Sequence, residues 1–221
     1  MTREWVAVVV SFAYVFAMIG IAELLRKWRG YSVDFTRKFI HVAVGMWAYG
    51  TVVLFRTRAL AIMPPLAFVA INAFSYWQGT FKAMETQERG QLGTVYFPLA
   101  FAALIWLFWG RPDILVASLM PMTWGDALAA VIGGRFGRRH YTVCGHSRTV
   151  EGSLTMFLAS WTATAIPFLV LGPTQPGLPG SLAIAAAVAL PATLVEAVSP
   201  WGIDNLSVPT VSALILAVLV R

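Results

Sequence analysis

The chain has 221 residues, of which 58% are hydrophobic and only 12% charged, and its mean hydropathy is +0.73. A soluble domain carries about 25% charged residues, so the polar surface is too sparse to cover a water-soluble globule and the composition predicts an integral membrane protein. A membrane-spanning helix takes about 20 residues; this length excludes a separate soluble catalytic domain and places any chemistry at span ends and in short loops. Residues 1–221 are therefore expected to form one transmembrane catalytic domain.

The net charge is +6, from 16 Lys and Arg against 10 Asp and Glu. The excess fits membrane orientation and contact with anionic lipids. Nucleic acid is not expected as a partner, because the bases are not gathered on one soluble face. The single cysteine, Cys144, excludes an internal disulfide and a multi-cysteine zinc site. The opening MTREW lacks a basic leader region and a small-residue cleavage site, so it is expected to begin the first span.

Eight apolar stretches follow in chain order: 5–25, 39–55, 59–77, 95–109, 113–133, 151–171, 181–199 and 206–220. Their apolar runs are continuous and do not alternate, which predicts helices and not barrel strands. The expected fold is an all-α polytopic membrane protein of about eight transmembrane helices, some broken by Pro or Gly near the cytoplasmic face. Gly172–Gly180 (GPTQPGLPG) reads as an uncharged connecting loop. Eleven of the sixteen Lys and Arg fall in the loops after the first, third and fifth spans. The positive-inside rule then puts those loops in the cytoplasm and both termini outside, in the plasma (inner) membrane.

The acidic residues near span ends fall mostly on the same side, in four clusters. Charged groups at membrane depth are costly and usually line a cavity or site. The first cluster is Glu23 with Arg37, Lys38 and His41. Lys38 and His41 share a helical face; they read either as interfacial snorkelling beside a packed histidine or as a cationic clamp for phosphate. The second is Asn72 and the loop with Lys82, Glu85, Glu88 and Arg89, in which Glu85 and Arg89 form an i,i+4 pair. The third is Pro121–Asp126 with Gly133 and Gly137, then Arg148, Thr149, Glu151, Gly152 and Ser153. Pro121 and Gly125 weaken the helix before Asp126, a hard oxygen ligand suited to Mg²⁺. The small residues fit a phosphate cradle or close helix packing equally well. The fourth is Glu196, Asp204 and Asn205 on a connection without a cation. It reads as a site for a bound cation with Asp126, or as a water-exposed turn capping the last span. No P-loop, dinucleotide fingerprint, zinc-protease helix or serine-hydrolase elbow is present.

In order, the motifs are Glu23…Arg37-Lys38-x-x-His41-x-x-x-Gly45, then Gly125-Asp126-Ala127-x-Ala129-x-x-x-Gly133-x-x-x-Gly137, then Arg148-Thr149-x-Glu151-Gly152-Ser153, and finally Glu196-x-x-Ser199…Asp204-Asn205-x-x-x-Pro209. Together they resemble the polyprenol kinases, a group that includes phytol, farnesol and dolichol kinases. It is related to CTP-dependent diacylglycerol kinase and distantly similar to the phosphatidate cytidylyltransferases. The resemblance runs from Glu23 to Pro209, and the compact size is more similar to phytol kinase than to the longer dolichol kinases. Arg148 stands where the family usually has Lys; it keeps the charge and adds a bidentate fork.

The resemblance implies CTP (or UTP) as phosphoryl donor, Mg²⁺, and a lipid alcohol such as phytol or geranylgeraniol as acceptor. On that basis Asp126 and Asp204 are expected to hold the metal, with Glu196 or Asn205 supporting. Arg148, Thr149, Gly152, Ser153 and the backbone at Gly125, Gly133 and Gly137 are expected to hold phosphates. Arg37 and Lys38, with His41, would stabilise the transferring charge, and Glu151 or Asp204 would accept the hydroxyl proton. The site would face the cytoplasm, with the apolar tail entering between spans from the surrounding lipid. The oligomeric state is not specified, with a homodimer kept open. Two rivals stand beside this reading. A CDP-lipid-forming nucleotidyl transferase would carry a longer, more acidic C-terminal signature. A lipid transporter or flippase would place polar residues mid-span, reachable from both sides.

Overall fold

The computed structural model describes residues 3–78, 92–172 and 176–220. In chain order the helices are α1 (Arg3–Arg29), α2 (Val33–Leu54), α3 (Arg58–Ala61), α4 (Met63–Gln78), α5 (Gly93–Phe108), α6 (Pro112–Met120), α7 (Ala127–Phe136), α8 (Val150–Val170), α9 (Gly177–Val198) and α10 (Asp204–Leu219). A π-helical segment, Pro121–Asp126, joins α6 to α7, and strands β1 (His140–Val143) and β2 (His146–Thr149) precede α8. Among the described residues, five helical stretches are long and apolar enough to cross a membrane: Arg3–Arg29, Arg58–Gln78, Pro112–Phe136, Val150–Val170 and Gly177–Val198. Gly93–Phe108 and Asp204–Leu219 are apolar but shorter. The chain is an all-α polytopic membrane protein with one added hairpin. Lys82, Glu85, Glu88 and Arg89 lie outside the described residues.

The chain forms two compact units, Met1–Leu107 and Phe108–Arg221. In the first, Val15, Ile19 and Ala22 recur along one face of α1 and bury against Ile40 of α2 and Phe68 of α4, as a 3.6-residue period requires. Gly30, at φ +67, ends α1, and the Ser32 hydroxyl caps α2 by accepting from the Phe35 N–H at 3.2 Å. At the other end of α1, the Glu4 carboxylate accepts the backbone N–H groups of Arg56 and Thr57 at 2.9 and 2.7 Å. It thereby satisfies donors in the turn between α2 and α3.

The second unit packs α6, α8, α9 and α10 around Ile114, Ala117, Phe168, Val188 and Leu216. Hydroxyls inside these helices turn back on their own backbone: Ser118 donates to Ile114, Thr193 to Ala189 and Ser212 to Val208. That removes the desolvation cost of a hydroxyl at membrane depth. The weakening expected at Pro121 takes the form of the π-helical turn. Proline has no N–H to give the ladder, and the helix widens there without stopping. The expected Gly172–Gly180 loop is shorter than its composition suggests, because α9 already begins at Gly177.

Close approach of α7 to α8 depends on glycines. A Cβ on Gly133 would stand 2.7 Å from Thr149 Oγ1 and 3.2 Å from Gly152 Cα, and one on Gly152 would stand 3.3 Å from the Ala129 carbonyl. A Cβ on Gly137 would run into the Thr149 side chain, and one on Gly125 would stand 2.6 Å from Met156 Sδ and overlap Ser160 Oγ. Close packing of α7 on α8 therefore requires small residues at these positions. Gly134 has nothing within 4 Å of the same position.

Two stability predictions follow from these contacts. Gly125→Ala should lower the stability of the detergent-solubilised protein by about 1–3 kcal/mol, whereas Gly134→Ala should be neutral or mildly stabilising, as read by thermal melts side by side. The Arg111 guanidinium donates to both oxygens of Asp113 at 3.1 and 2.9 Å and to the Val220 carbonyl at 2.7 Å, while the Asp113 side chain is 1% exposed. Arg111→Ala strands that buried carboxylate and should cost about 3 kcal/mol; adding Asp113→Ala should recover part of the loss in the same melt.

Candidate functional site

Asp126, Glu196 and Asp204 come from three separate elements: the end of the π-helical turn, the last turn of α9 and the first residue of α10. Each offers a carboxylate oxygen, and the three oxygens lie within 4.8 Å of one another. Asp126 and Glu196 are buried, and Asp204 is half-buried. No backbone spacing in the sequence puts them together; the α9–α10 hairpin and its packing on the π-helical turn do. Three oxygen donors at this separation form a hard set of the kind that suits Mg²⁺, and three like charges in an apolar bundle favour a bound cation.

The surrounding groups hold this trio in place. Arg148, on β2, reaches Glu196 with Nη2 at 3.1 Å from Oε1. Its Nε is buried with no hydrogen-bond partner, so the guanidinium has a donor left for an anion. Asn205 donates its backbone N–H and its side-chain amide to Asp204 Oδ1, both at 2.9 Å, and so fixes that carboxylate. The Ser199 hydroxyl bonds Ser207 at 2.9 Å and donates to the Val195 carbonyl at 2.7 Å, tying the end of α9 to the start of α10. Thr123, fully buried in the π-helical turn, has an Oγ1 with no hydrogen-bond partner, one turn before Asp126.

Other residues singled out from the sequence have structural partners here. Thr149 is the N-cap of α8 and accepts the Gly152 N–H at 3.1 Å. The Ser153 hydroxyl is hydrogen-bonded to the Tyr141 hydroxyl, and Gly133, Gly137 and Gly152 close around Thr149. Glu151 Oε2 accepts the backbone N–H groups of Arg138 and Arg139 at 3.1 and 3.3 Å, which locks the turn between α7 and β1. Beside it a cavity of about 430 Å³ is lined by Arg135, Phe136, Gly137, Arg138 and Glu151. Arg37, Lys38 and His41 belong to the first unit, half-buried in the first turns of α2, where the His41 ring lies 4.5 Å from that of Phe97. In that unit the Asn72 amide donates to the Thr94 carbonyl at 2.7 Å, and Glu23 pairs with Arg26 at 2.8 Å.

The element that sequence reasoning missed is the hairpin of β1 and β2, which pairs His140 with Thr149 and Val143 with His146. Its two-residue turn holds Cys144 at φ 50 and Gly145 at φ 81, the mirror-image geometry that two-residue hairpins favour. The signal was a β-prone run on either side of a residue–glycine pair. The hairpin delivers Arg148 to Glu196.

No family model matches the chain, and no solved structure matches it. Among curated proteins it is similar to phytol kinase of Synechocystis sp., with 33% identity over 213 residues, 96% of this chain and 90% of that protein. It is also similar to probable phytol kinase 2, chloroplastic, of Glycine max and to probable phytol kinase, chloroplastic, of Triticum aestivum, each 25% identical over 96% of this chain and covering 75% and 76% of those proteins. The carboxylate trio, its arginine and its asparagine are all within the span of these matches, and a full-length identity of 33% places the chain in the phytol kinase family, among the polyprenol kinases whose motifs it carries.

Proposed function

We propose that the protein is a membrane kinase that moves the γ-phosphoryl group of CTP, or of UTP, to the hydroxyl of an isoprenoid alcohol such as phytol or geranylgeraniol. Phytol kinase is the activity named for the relatives, and the observation that carries a phosphoryl transfer to this chain is the trio Asp126, Glu196 and Asp204 within 4.8 Å. Phosphoryl transfer needs positioning and charge neutralisation more than covalent chemistry, and the trio with Arg148 offers both. Bound to these carboxylates, Mg²⁺ would neutralise charge on the donor's phosphates.

The protein's own groups do the rest. Arg148, anchored through one nitrogen to Glu196, directs its remaining donors at phosphate oxygens. Asn205 keeps Asp204 oriented. In the transfer, the bond from the γ-phosphorus to the bridging oxygen breaks and a bond to the alcohol oxygen forms. The nucleoside diphosphate leaves, and the hydroxyl proton passes to a carboxylate. We keep Glu151 and Asp204 as the candidates for that role; each already accepts two N–H groups in the structure. Arg135 and Arg138 give the neighbouring cavity a positive rim. Arg37, Lys38 and His41 of α2 remain our assignment for charge stabilisation during transfer. The site is taken to face the cytoplasm at the plasma membrane, as the sorting of the basic loops indicates, with the lipid tail held among the spans.

The test is a donor-by-acceptor assay on purified protein, with labelled CTP, UTP, ATP and GTP against phytol, geranylgeraniol, farnesol, undecaprenol and diacylglycerol. The expected result is CDP or UDP release with phosphorylation of an isoprenoid alcohol, dependent on Mg²⁺. Asp126→Asn should lower turnover by about 10³-fold or more with normal membrane insertion. Pyrophosphate release would replace the kinase with a nucleotidyl transferase, and near-normal turnover by Asp126→Asn would remove the metal assignment.

A further inference from the structure

The Ser199–Asp204 segment carries a feature that phosphate and metal binding leave unused. Trp201 has φ 50, a left-handed conformation that a bulky residue adopts only when its surroundings impose it. It stands 61% exposed, three residues before Asp204. Its ring meets that of His146 at 6.4 Å between centroids and 86° between planes, a perpendicular contact that leaves broad ring surface open. His146 and Arg148 are two apart on β2, so they share one face of the strand. That face meets the α9–α10 connection twice, through Arg148 on Glu196 and through His146 on Trp201. A phosphate-binding end and an aromatic end thus lie side by side, about 7 Å apart along the strand.

We infer that Trp201 is the stacking platform for the base of the donor nucleotide, with His146 positioning its ring. This rests on the kinase reading above. The phosphates lie against Arg148, and the base lies one sugar's reach away on the indole face. Other exposed tryptophans, Trp28 at 80% and Trp77 at 85%, sit in regular helical backbone of α1 and α4, where an interfacial anchor needs no special conformation. Trp201 departs from that pattern in its backbone and in its neighbour. Stacking tolerates any base, so the platform adds affinity for the nucleoside and does not choose between CTP and UTP.

The experiment measures KM for CTP and for the lipid alcohol, and inhibition by inorganic tripolyphosphate, on the purified full chain. Trp201→Ala should raise KM for CTP about tenfold, and Trp201→Phe should stay within about threefold. Neither should alter KM for the alcohol or the tripolyphosphate inhibition constant. Trp201→Gly relieves the left-handed backbone, so it should raise KM for CTP equally with no fall in the melting temperature, which separates the ring's role from folding. His146→Ala should shift KM for CTP in the same direction by a smaller factor. A change in KM for the alcohol with none for CTP would make Trp201 a membrane anchor and overturn the inference, as would equal weakening of CTP and tripolyphosphate. If the wild-type protein transfers phosphoryl groups and Trp201→Ala does so with unchanged KM for CTP, the inference alone falls. If the wild-type protein neither binds nor turns over any nucleoside triphosphate, the kinase reading falls with it.

Discussion

Three carboxylates whose oxygens lie within 4.8 Å of one another, at the ends of apolar helices, repel. At an effective dielectric constant of about 20, each fully ionised pair at that separation opposes the fold by roughly 3 kcal/mol. Side chains this costly persist in a membrane protein where they do chemistry. Arg148 against Glu196 returns one positive charge; a divalent cation would return two more. Much of the second unit's construction can be understood as what is needed to hold Asp126, Glu196 and Asp204 together despite that repulsion.

Each member is positioned by a different local device. Asp126 ends a π-helical turn opened at Pro121, so a weak point in the helix becomes the place from which a functional side chain is presented. Asp204 is the first residue of α10, held by the amide and backbone of Asn205. Glu196 lies in the last turn of α9, and the Ser199–Ser207 hydrogen bond fixes how α9 leads into α10. Behind them, Gly125 admits Met156 and Ser160, and Gly133 and Gly152 bring α7 against α8. These small residues let the scaffold close around the carboxylates. The hairpin then projects from the start of α8 and returns a cation to the cluster.

The helices were legible because continuous apolar runs leave a membrane chain few alternatives. All eight sequence stretches fall on helical segments, although five of those segments are long and apolar enough to span by themselves. The trio was legible in part, since acidic residues at span ends stand out against an apolar background. Their convergence was not, because it depends on how three helix ends pack. The packing partners of Thr149, Glu151 and Ser153 were not legible for a related reason. A hydroxyl or carboxylate near a helix start looks the same in sequence whether it caps the helix, as Thr149 does, or faces a ligand. Glu151 bonds the backbone amides of Arg138 and Arg139, a contact across a turn that no local motif announces. The β-hairpin escaped because its only marks are a short β-prone run and the Cys144–Gly145 turn.

If the trio is a divalent-cation site, direct metal binding shows it without recourse to turnover. Mn²⁺, a spectroscopic substitute for Mg²⁺, can be titrated into the purified full-length protein and its free fraction followed by electron paramagnetic resonance. The expected result is a saturable class of sites that Asp126→Asn and Asp204→Asn each weaken by about tenfold or more, with Glu151→Gln unchanged. Equal Mn²⁺ binding by the wild-type protein and by both trio variants would contradict it.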